Sequence, residues 1–207
     1  MKRHAGWAGL PRPTRLASWA AALLAAFGTA AVAEGAWIQA KAAVAQVLLA
    51  RAWNETLGGR GPSRPWPWAD THPVGRLRAP GHGVELVVLA GATGRSLAFA
   101  PGHLSGSALP STVGHTVIAG HRDTHFSFLR RLVEGETLEL EGADGSLRVY
   151  RVVATRVVHE RDSEVTLPTA TPTLTLLTCY PFDTPVPGGP LRYAVRAEAL
   201  VSLAADL

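Results

Sequence analysis

The chain has 207 residues, 47% of them hydrophobic, which is enough for one domain with a buried core and an additional segment. Its formal net charge is +4, but the arginines are scattered and no basic motif is interleaved with aromatic residues, so we expect no nucleic-acid partner. A single cysteine, Cys179, excludes a disulfide within the chain, and in an exported protein it would be either buried or a reactive thiol.

The first 33 residues have the pattern of a membrane-targeting segment. Residues 1–15 contain four basic residues and no acidic residue, and the run from Leu16 to Ala33 carries no charge. A basic flank before an apolar run keeps the N-terminus in the cytoplasm and sends the following chain across the membrane. Two interpretations stay open: a signal anchor, with a helix just long enough to span the bilayer, and a signal peptide cleaved after Ala31-Val32-Ala33. We favour the anchor because the run exceeds the usual ~7–15-residue signal core.

Residues 34–57 predict a juxtamembrane helix. Apolar residues recur on one face with the helical period: Trp37, Ala40, Val44, Val47 and Leu48. The helix would continue the membrane helix or lie along the membrane surface, where Trp37 and Trp53 suit the interface. The alternative is a helix packed on the domain.

Residues 58–83 predict a linker or an arm. They contain five prolines: Pro62, Pro65, Pro67, Pro73 and Pro80. Because proline lacks the amide N–H that a helix interior or a central strand uses, we expect neither element here. Trp66 and Trp68 are unusual in a plain spacer and favour an arm that packs on the domain, with contact to substrate as a further hypothesis.

The remaining residues, 84–207, have an all-β pattern. The predicted strands are 84–90, 96–100, 116–119, 136–141, 146–158, 173–178 and 191–202. The Asp144-Gly145 pair indicates a hairpin, and residues 124–132 are too apolar for a bare loop and predict a helical turn. Seven or eight short strands with one or two helical turns are typical of a closed or nearly closed barrel.

Three side chains that can perform chemistry lie at the termini of predicted strands. The run from Thr173 to Thr178 stops at Cys179 and a loop rich in proline and glycine follows. Arg192 begins the next strand 13 positions later, and an earlier strand leads to His121. Strand ends that face loops commonly carry functional residues, although a lone cysteine is more often a small buried core residue.

Three motifs in this order resemble the sortases, cysteine transpeptidases that cleave a sorting peptide and join it to an amine. The run Thr175-Leu176-Leu177-Thr178-Cys179 is similar to their signature strand, residues 114–123 resemble their histidine strand, and Arg192 fits their arginine. Residues 37–42 and 64–70 are similar to the lead-in of a proteobacterial subfamily, the marine or GN type. The resemblance implies a closed eight-stranded β-barrel with one or two short helices, preceded by an N-terminal membrane helix.

The resemblance also implies a site. Cys179 would be the nucleophile, His121 the acid that protonates the departing amine, and Arg192 the cation that stabilises the oxyanion and positions the peptide. Thr178 and Ala119 are expected to touch the bound substrate. We expect no cofactor and no metal ligand in the chemistry, while the resemblance admits a structural calcium ion because some sortases order a loop with calcium.

The expected partner is the C-terminal sorting signal, LPxTG-like, of a secreted protein, with an amine acceptor that the sequence does not identify. The catalytic part would be periplasmic and held at the inner membrane. Two alternatives stay open: an extracytoplasmic peptidase that uses water as acceptor, and a catalytically silent barrel that scaffolds a membrane complex.

The other polar residues near His121 have weaker claims. His125 lies four residues later and would suit a zinc pair on a helix, but no His-Glu-x-x-His pattern is present. Asp123 is expected to cap the following turn rather than to orient a ring. His103, His115 and His159 are expected at the surface or in the core.

Overall fold

The computed structural model describes residues 15–184 and 188–200. Its first element, α1 (Arg15–Glu55), is one continuous helix that covers both the predicted membrane segment and the predicted juxtamembrane helix. The chain divides into two compact units, Met1–Val44 and Ala45–Leu207. The first consists, where described, of the apolar part of α1, and the basic flank predicted at residues 1–14 lies outside the described residues. An 18-residue window of this helix has a mean hydropathy of 1.5, so by length and composition it can cross a membrane.

The last turns of α1 pack into the second unit through a different face from the one that the sequence predicts. The buried side chains are Ala45, Leu49, Ala52 and Trp53. Val47, on the predicted face, is 69% exposed, whereas Trp53 is 1% exposed and does not lie at a membrane interface as predicted. The alternative of a helix packed on the domain therefore holds for these last turns, through a stripe beside the predicted one, because an alanine-rich helix offers several apolar stripes and tertiary packing selects one.

Eight strands form a closed barrel within the described part of the chain. They are β1 (Pro73–Ala79), β2 (Val84–Ala90), β3 (Gly102–His103), β4 (His115–Ala119), β5 (Thr137–Gly142), β6 (Leu147–His159), β7 (Thr173–Cys179) and β8 (Leu191–Ala199). Their order around the barrel is β1-β2-β3-β4-β7-β8-β6-β5, and β1 and β5 close it. The all-β, eight-stranded barrel predicted from the sequence is confirmed. The predicted last strand ended at residue 202, and residues 201–202 lie outside the described part.

The segment predicted to be a linker contains a central strand, so the barrel begins before Val84. Strand β1 pairs with β2 on one side and with β5 on the other. Pro73 is its first residue, a position where the missing N–H does little harm, and Pro80 follows its end. Within it Leu77 and Ala79 are fully buried, whereas Arg76 and Arg78 form ion pairs with glutamates of β2 and β5. The alternation of buried and exposed side chains along β1 was missed in the sequence because the segment contains five prolines.

Short helices and helical turns lie between the longer elements. They are α2 (Gly94–Leu97), the 3₁₀ turns Pro80–His82, Ser127–Arg131 and Ser163–Thr166, and a π-helical turn Thr56–Arg60. The turn at Ser127–Arg131 confirms the helical turn predicted for residues 124–132. The strand predicted at residues 96–100 is wrong, because Thr93 and Ser96 form a capping box that starts α2 instead.

The predicted packing of the tryptophan arm is confirmed at one of its two rings. Trp66 packs edge-on against Phe99 with ring centroids 5.0 Å apart. Trp68 is 83% exposed.

Alternation along β7 decides which side chains face the core. Leu174 and Leu176 belong to the barrel core and are fully buried, each burial contributing about 1.5–3 kcal/mol. Leu177 and Cys179 have the opposite parity and lie on the outer face, where they line a cleft. The strand that anchors the core therefore presents the thiol to solvent.

Candidate active site

The parallel pairing of β4 with β7 brings the histidine and cysteine segments to the same end of the barrel. Ala119 is in register with Leu177, and the backbone N–H of Gly120 donates to the carbonyl of Leu177 at 3.0 Å. His121 and Cys179 each lie two residues beyond this registered pair. Because the strands run in the same direction, the imidazole and the thiol emerge together at the carboxyl ends of both strands.

The antiparallel pairing of β7 with β8 adds the arginine. Cys179 is in register with Arg192, and side chains directly opposite each other share a face of the sheet. The guanidinium of Arg192 donates from Nη1 to the carbonyls of Gly189 at 2.7 Å and Leu191 at 2.9 Å, and from Nη2 to the carboxylate of Glu160 at 2.7 Å. Glu160 directly follows β6, so it joins the connection after β6 to the start of β8.

A cleft of about 480 Å³ gathers the predicted residues on this outer face. All five predicted site residues line it: Ala119, His121, Thr178, Cys179 and Arg192. Its apolar walls come from Leu97, Leu104, Val158, Val165 and Leu177. The Cys179 side chain is partly exposed and His121 is exposed, so a peptide can reach both. A family model for the sortase domain matches residues 77–200, which include this whole arrangement.

The chain belongs to the sortase family. It is 34% identical over 125 residues to sortase D of Bacillus subtilis (strain 168), covering 60% of this chain and 62% of that protein. The catalytic domain of sortase D from B. anthracis matches at 35% identity with a TM-score of 0.54, covering 62% of this chain and 87% of that one.

Other sortase structures agree in fold. Sortase A from Corynebacterium diphtheriae matches with a TM-score of 0.58 at 28% identity, covering 67% of this chain and 66% of that one. A Clostridium perfringens sortase D5 transpeptidase matches with a TM-score of 0.62 at 20% identity, covering 76% and 99%. The chain thus spans less than two thirds of the length of sortase D of B. subtilis, at 62%, and of the C. diphtheriae structure, at 66%.

Thr178 links the cysteine strand to the histidine segment of the candidate site through a buried hydrogen bond. Its side chain is 3% exposed, and its hydroxyl donates to the carbonyl of Gly120 at 2.8 Å. It also borders the cleft, as does Ala119 at the end of β4. Any substrate contact by Thr178 therefore has to share a side chain that already holds the histidine segment.

Close packing fixes the backbone on the other side of His121. A Cβ atom on Gly120 would lie 2.8 Å from the ring of Phe126, which is too close for any side chain. Phe126 is fully buried, and its N–H donates to the carbonyl of His121 at 3.0 Å. Glycine before the histidine is thus required by this contact with the aromatic ring.

The two residues after His121 form an ion pair between a buried arginine and an exposed aspartate, which sequence reasoning missed. Nε of Arg122 donates to the carboxylate of Asp123 at 2.9 Å, and Arg122 is 5% exposed. The Arg122 guanidinium lowers the pKa of the Asp123 carboxyl below its usual value. The prediction that Asp123 caps the following turn is wrong, since that turn begins without a side-chain cap. The signal in the sequence was the adjacent pair of opposite charges inside the histidine motif.

The other histidines have structural surroundings. His103 is buried, with its Nε2 within 3.0 Å of the Ala108 carbonyl and 2.9 Å of the Ser107 hydroxyl. Burial lowers the pKa of His125. Within residues 15–184 and 188–200, no group of three or more His, Cys, Asp and Glu side chains could hold a metal ion. Sortases need no cofactor, and calcium is optional in some of them.

A second cavity of about 300 Å³ lies on the outer face of β6, β7 and β8. His115, Thr175 and Arg196 line it together with Arg156 and Glu164. His115 is buried, with Nδ1 2.6 Å from the carbonyl of Leu167 and Nε2 2.7 Å from the hydroxyl of Thr175. Because a carbonyl only accepts, Nδ1 carries the proton of the neutral ring and Nε2 accepts from Thr175.

Proposed function

We propose that this chain is a sortase-type cysteine transpeptidase that cleaves a C-terminal, LPxTG-like sorting signal of a secreted protein and transfers it to an amine. The observation that carries the proposal is the cleft in which a thiol, an imidazole and a guanidinium converge at the ends of β4, β7 and β8. The match to the sortase family model over residues 77–200 supports it.

In the first half-reaction the thiolate of Cys179 attacks the carbonyl carbon of the Thr–Gly-type bond. Negative charge develops on the carbonyl oxygen, which the guanidinium of Arg192 would stabilise, and losing one such donor costs about 10²–10³ in rate in comparable sites. The C–N bond then breaks as His121 protonates the departing amine, a step worth about 10²–10⁴. The products are a thioester on Cys179 and the released C-terminal peptide.

In the second half-reaction an acceptor amine attacks the thioester carbonyl. His121 removes the proton from the amine, the C–S bond breaks, and the thiolate of Cys179 is regenerated with a new amide bond formed. Water in place of the amine would give hydrolysis, which is the peptidase alternative.

We place the protein in the inner membrane with its barrel in the periplasm, as expected of a proteobacterial GN-type sortase. The apolar, exposed first part of α1 and the basic residues before it in the sequence support a single-pass anchor. A reporter fused after Leu207 is expected to be active only outside the cytoplasm. Reporter activity in the cytoplasm would reject this placement, and a mature N-terminus at Glu34 would replace the anchor by a cleaved signal.

The chemistry is tested by mass spectrometry of the full chain in detergent with a candidate sorting peptide. We expect a thioester at Cys179 that disappears when an amine is added, with the peptide–amine conjugate as product. Hydrolysed peptide as the sole product, with and without amine, would favour the peptidase. If Cys179 does not react with the peptide, the alternative of a catalytically silent scaffold would be favoured.

A further inference from the structure

The guanidinium of Arg122 joins the chain after the histidine to the chain after the cysteine. Its Nη1 donates to the carbonyl of Pro181 and its Nη2 to the carbonyl of Thr184 at 3.1 Å. Nε and Nη2 also donate to the two carboxylate oxygens of Asp123, at 2.9 and 3.2 Å. Arg122 is one residue past His121, whereas Pro181 and Thr184 are two and five residues past Cys179.

This bridge lies where the strand ladder has ended. In the described chain, the backbone pairing of the histidine and cysteine segments stops at the bond from Gly120 to Leu177, and the hydroxyl of Thr178 adds one bond to the Gly120 carbonyl. His121 and Cys179 lie beyond these contacts. Their relative position therefore depends on what holds the two segments after the strands separate.

Arginine is suited to that task for a physical reason. Its planar group presents five donors in a rigid arrangement, and here it serves three acceptor groups at once, which the single ammonium of lysine matches poorly. Asp123 compensates the charge of Arg122. The pair raises the pKa of Arg122 and lowers that of Asp123, so it favours the charged form of both side chains.

We propose that Arg122 is a positioning residue of the sortase site: its buried guanidinium fixes the segment after Cys179 against the segment after His121 and so sets the geometry between thiol and imidazole. The inference rests on the proposed function, because it gives Arg122 a role only through these two groups. A displacement of about 1 Å between reacting groups can cost about 10²-fold in rate.

The test compares Arg122→Met and Arg122→Lys with a matched control in the full chain. Arg130→Met is the control because Arg130 also reaches this segment, through Asp183 at 3.4 Å, but both side chains are exposed. We measure kcat and KM for thioester formation per folded molecule, the pH profile of Cys179 alkylation by iodoacetamide, and the thermal midpoint. Alkylation needs no peptide, so it tests the positioning even if the sorting peptide proves to be the wrong substrate.

For Arg122→Met we expect kcat to fall about 10²-fold with KM changed less than about threefold, since the loss is in the transition state and not in binding. Arg122→Lys should recover part of the loss, the alkylation profile should shift in Arg122→Met, and Arg130→Met should match the wild type in both. A folded Arg122→Met with wild-type kcat and alkylation profile overturns the proposal. It is also rejected if neither Arg122 variant folds, since Arg122 would then be structural only.

If the wild type forms no thioester with any sorting peptide, the proposed function fails. The positioning of the thiol is then supported only if the alkylation profile shifts in Arg122→Lys as well as in Arg122→Met, and not in Arg130→Met, because Arg122→Lys keeps the positive charge that acts on Cys179.

Discussion

Strands β4, β7 and β8 carry two similar sets of side chains on one outer face. At the end of the strands His121, Cys179 and Arg192 line the larger cleft. Nearer the middle, His115, Thr175 and Arg196 line the smaller cavity. The register between β7 and β8 is equivalent in the two sets, because Cys179 lies opposite Arg192 and Thr175 lies opposite Arg196. Each set combines an imidazole, a side chain with a nucleophilic atom, and a guanidinium.

The two sets differ in which atoms are free to react. His115 and Thr175 are buried, and both ring nitrogens of His115 are bound, one by the Leu167 carbonyl and one by the Thr175 hydroxyl. By contrast, His121 is exposed and the Cys179 thiol is partly exposed. A nucleophile and a base can act on a peptide only if their reacting atoms can be reached. Two sets of similar side chains thus have different roles: the set around His115 is a structural cross-link, and the set around His121 is a candidate catalytic centre.

The largest expected effect comes from replacing the nucleophilic side chain in each set, Cys179 in one and Thr175 in the other. Cys179→Ala should abolish thioester formation with little change in the thermal midpoint, since it removes one small, partly exposed atom at a strand end. Thr175→Val should keep the activity but cost about 1–3 kcal/mol of unfolding free energy, because Nε2 of His115 would lose its partner while buried. Turnover and chemical denaturation of both variants check this. An active Cys179→Ala would make the thiol a core residue and end the proposed mechanism.

The second comparison is between the two arginines of β8. Arg192→Ala should lower the rate of thioester formation by about 10²–10³-fold, as for the loss of one oxyanion donor. Arg192→Lys should also lose most of the activity, because a flexible ammonium replaces the planar guanidinium. Arg196→Ala is the internal control on the same face and should stay near the wild-type rate. Equal, wild-type rates in all three variants would show that Arg192 has no catalytic role.

The third comparison uses pH. Burial lowers the pKa of His115 below its ordinary 6.5, so the unfolded chain binds a proton more readily than the barrel does. The stability that the neutral ring contributes is complete above about pH 6.5 and is lost as the pH falls towards the lower pKa of the folded protein. His115→Gln should therefore flatten the decrease in melting temperature from about pH 7 to about pH 5, at an overall cost of about 1–3 kcal/mol.

His159→Gln, at an exposed position, should leave that slope unchanged. His72 and His125 share the direction of the shift, since burial lowers the pKa of both rings, so the flattening is expected to be partial. A slope identical in His115→Gln and the wild type would show that the buried ring does not titrate in this range.

The smallest expected effect concerns Glu160, which holds the guanidinium of Arg192. Both side chains are partly exposed, at 44% and 29%, and such ion pairs contribute about 0.2–1 kcal/mol. Glu160→Gln should therefore lower kcat less than about fivefold, far less than Arg192→Ala. Glu55→Gln, which alters the ion pair with Arg51 on α1, is the control. A rise in kcat for Glu160→Gln would mean that the pair restrains Arg192 instead of orienting it.

Local patterns in the sequence were sufficient for much of the fold. The alternation along β7 and the proline-rich stretch after it predicted where the strand ends at Cys179, and the Asp144-Gly145 pair predicted the β5–β6 hairpin, where Gly145 has a φ of +79°. The order of His121, Cys179 and Arg192 pointed to the sortase family, and all three line the cleft. These features are determined by residues that are neighbours along the chain, so they can be predicted from the sequence alone.

Tertiary structure decided the features that depend on partners distant in sequence. Strand β1 exists because β2 and β5 supply its hydrogen bonds, and β3 is two residues long and held by β2 and β4. The buried stripe of α1 was selected by the barrel and not by the helical period. The carbonyls that Arg122 binds lie about 60 positions further along the chain, so no local pattern could reveal them. Likewise His115 and His121 are six residues apart in one motif. The hydrogen bonds to Leu167 and Thr175, both distant in sequence, make His115 a cross-link, whereas His121 is exposed in the cleft.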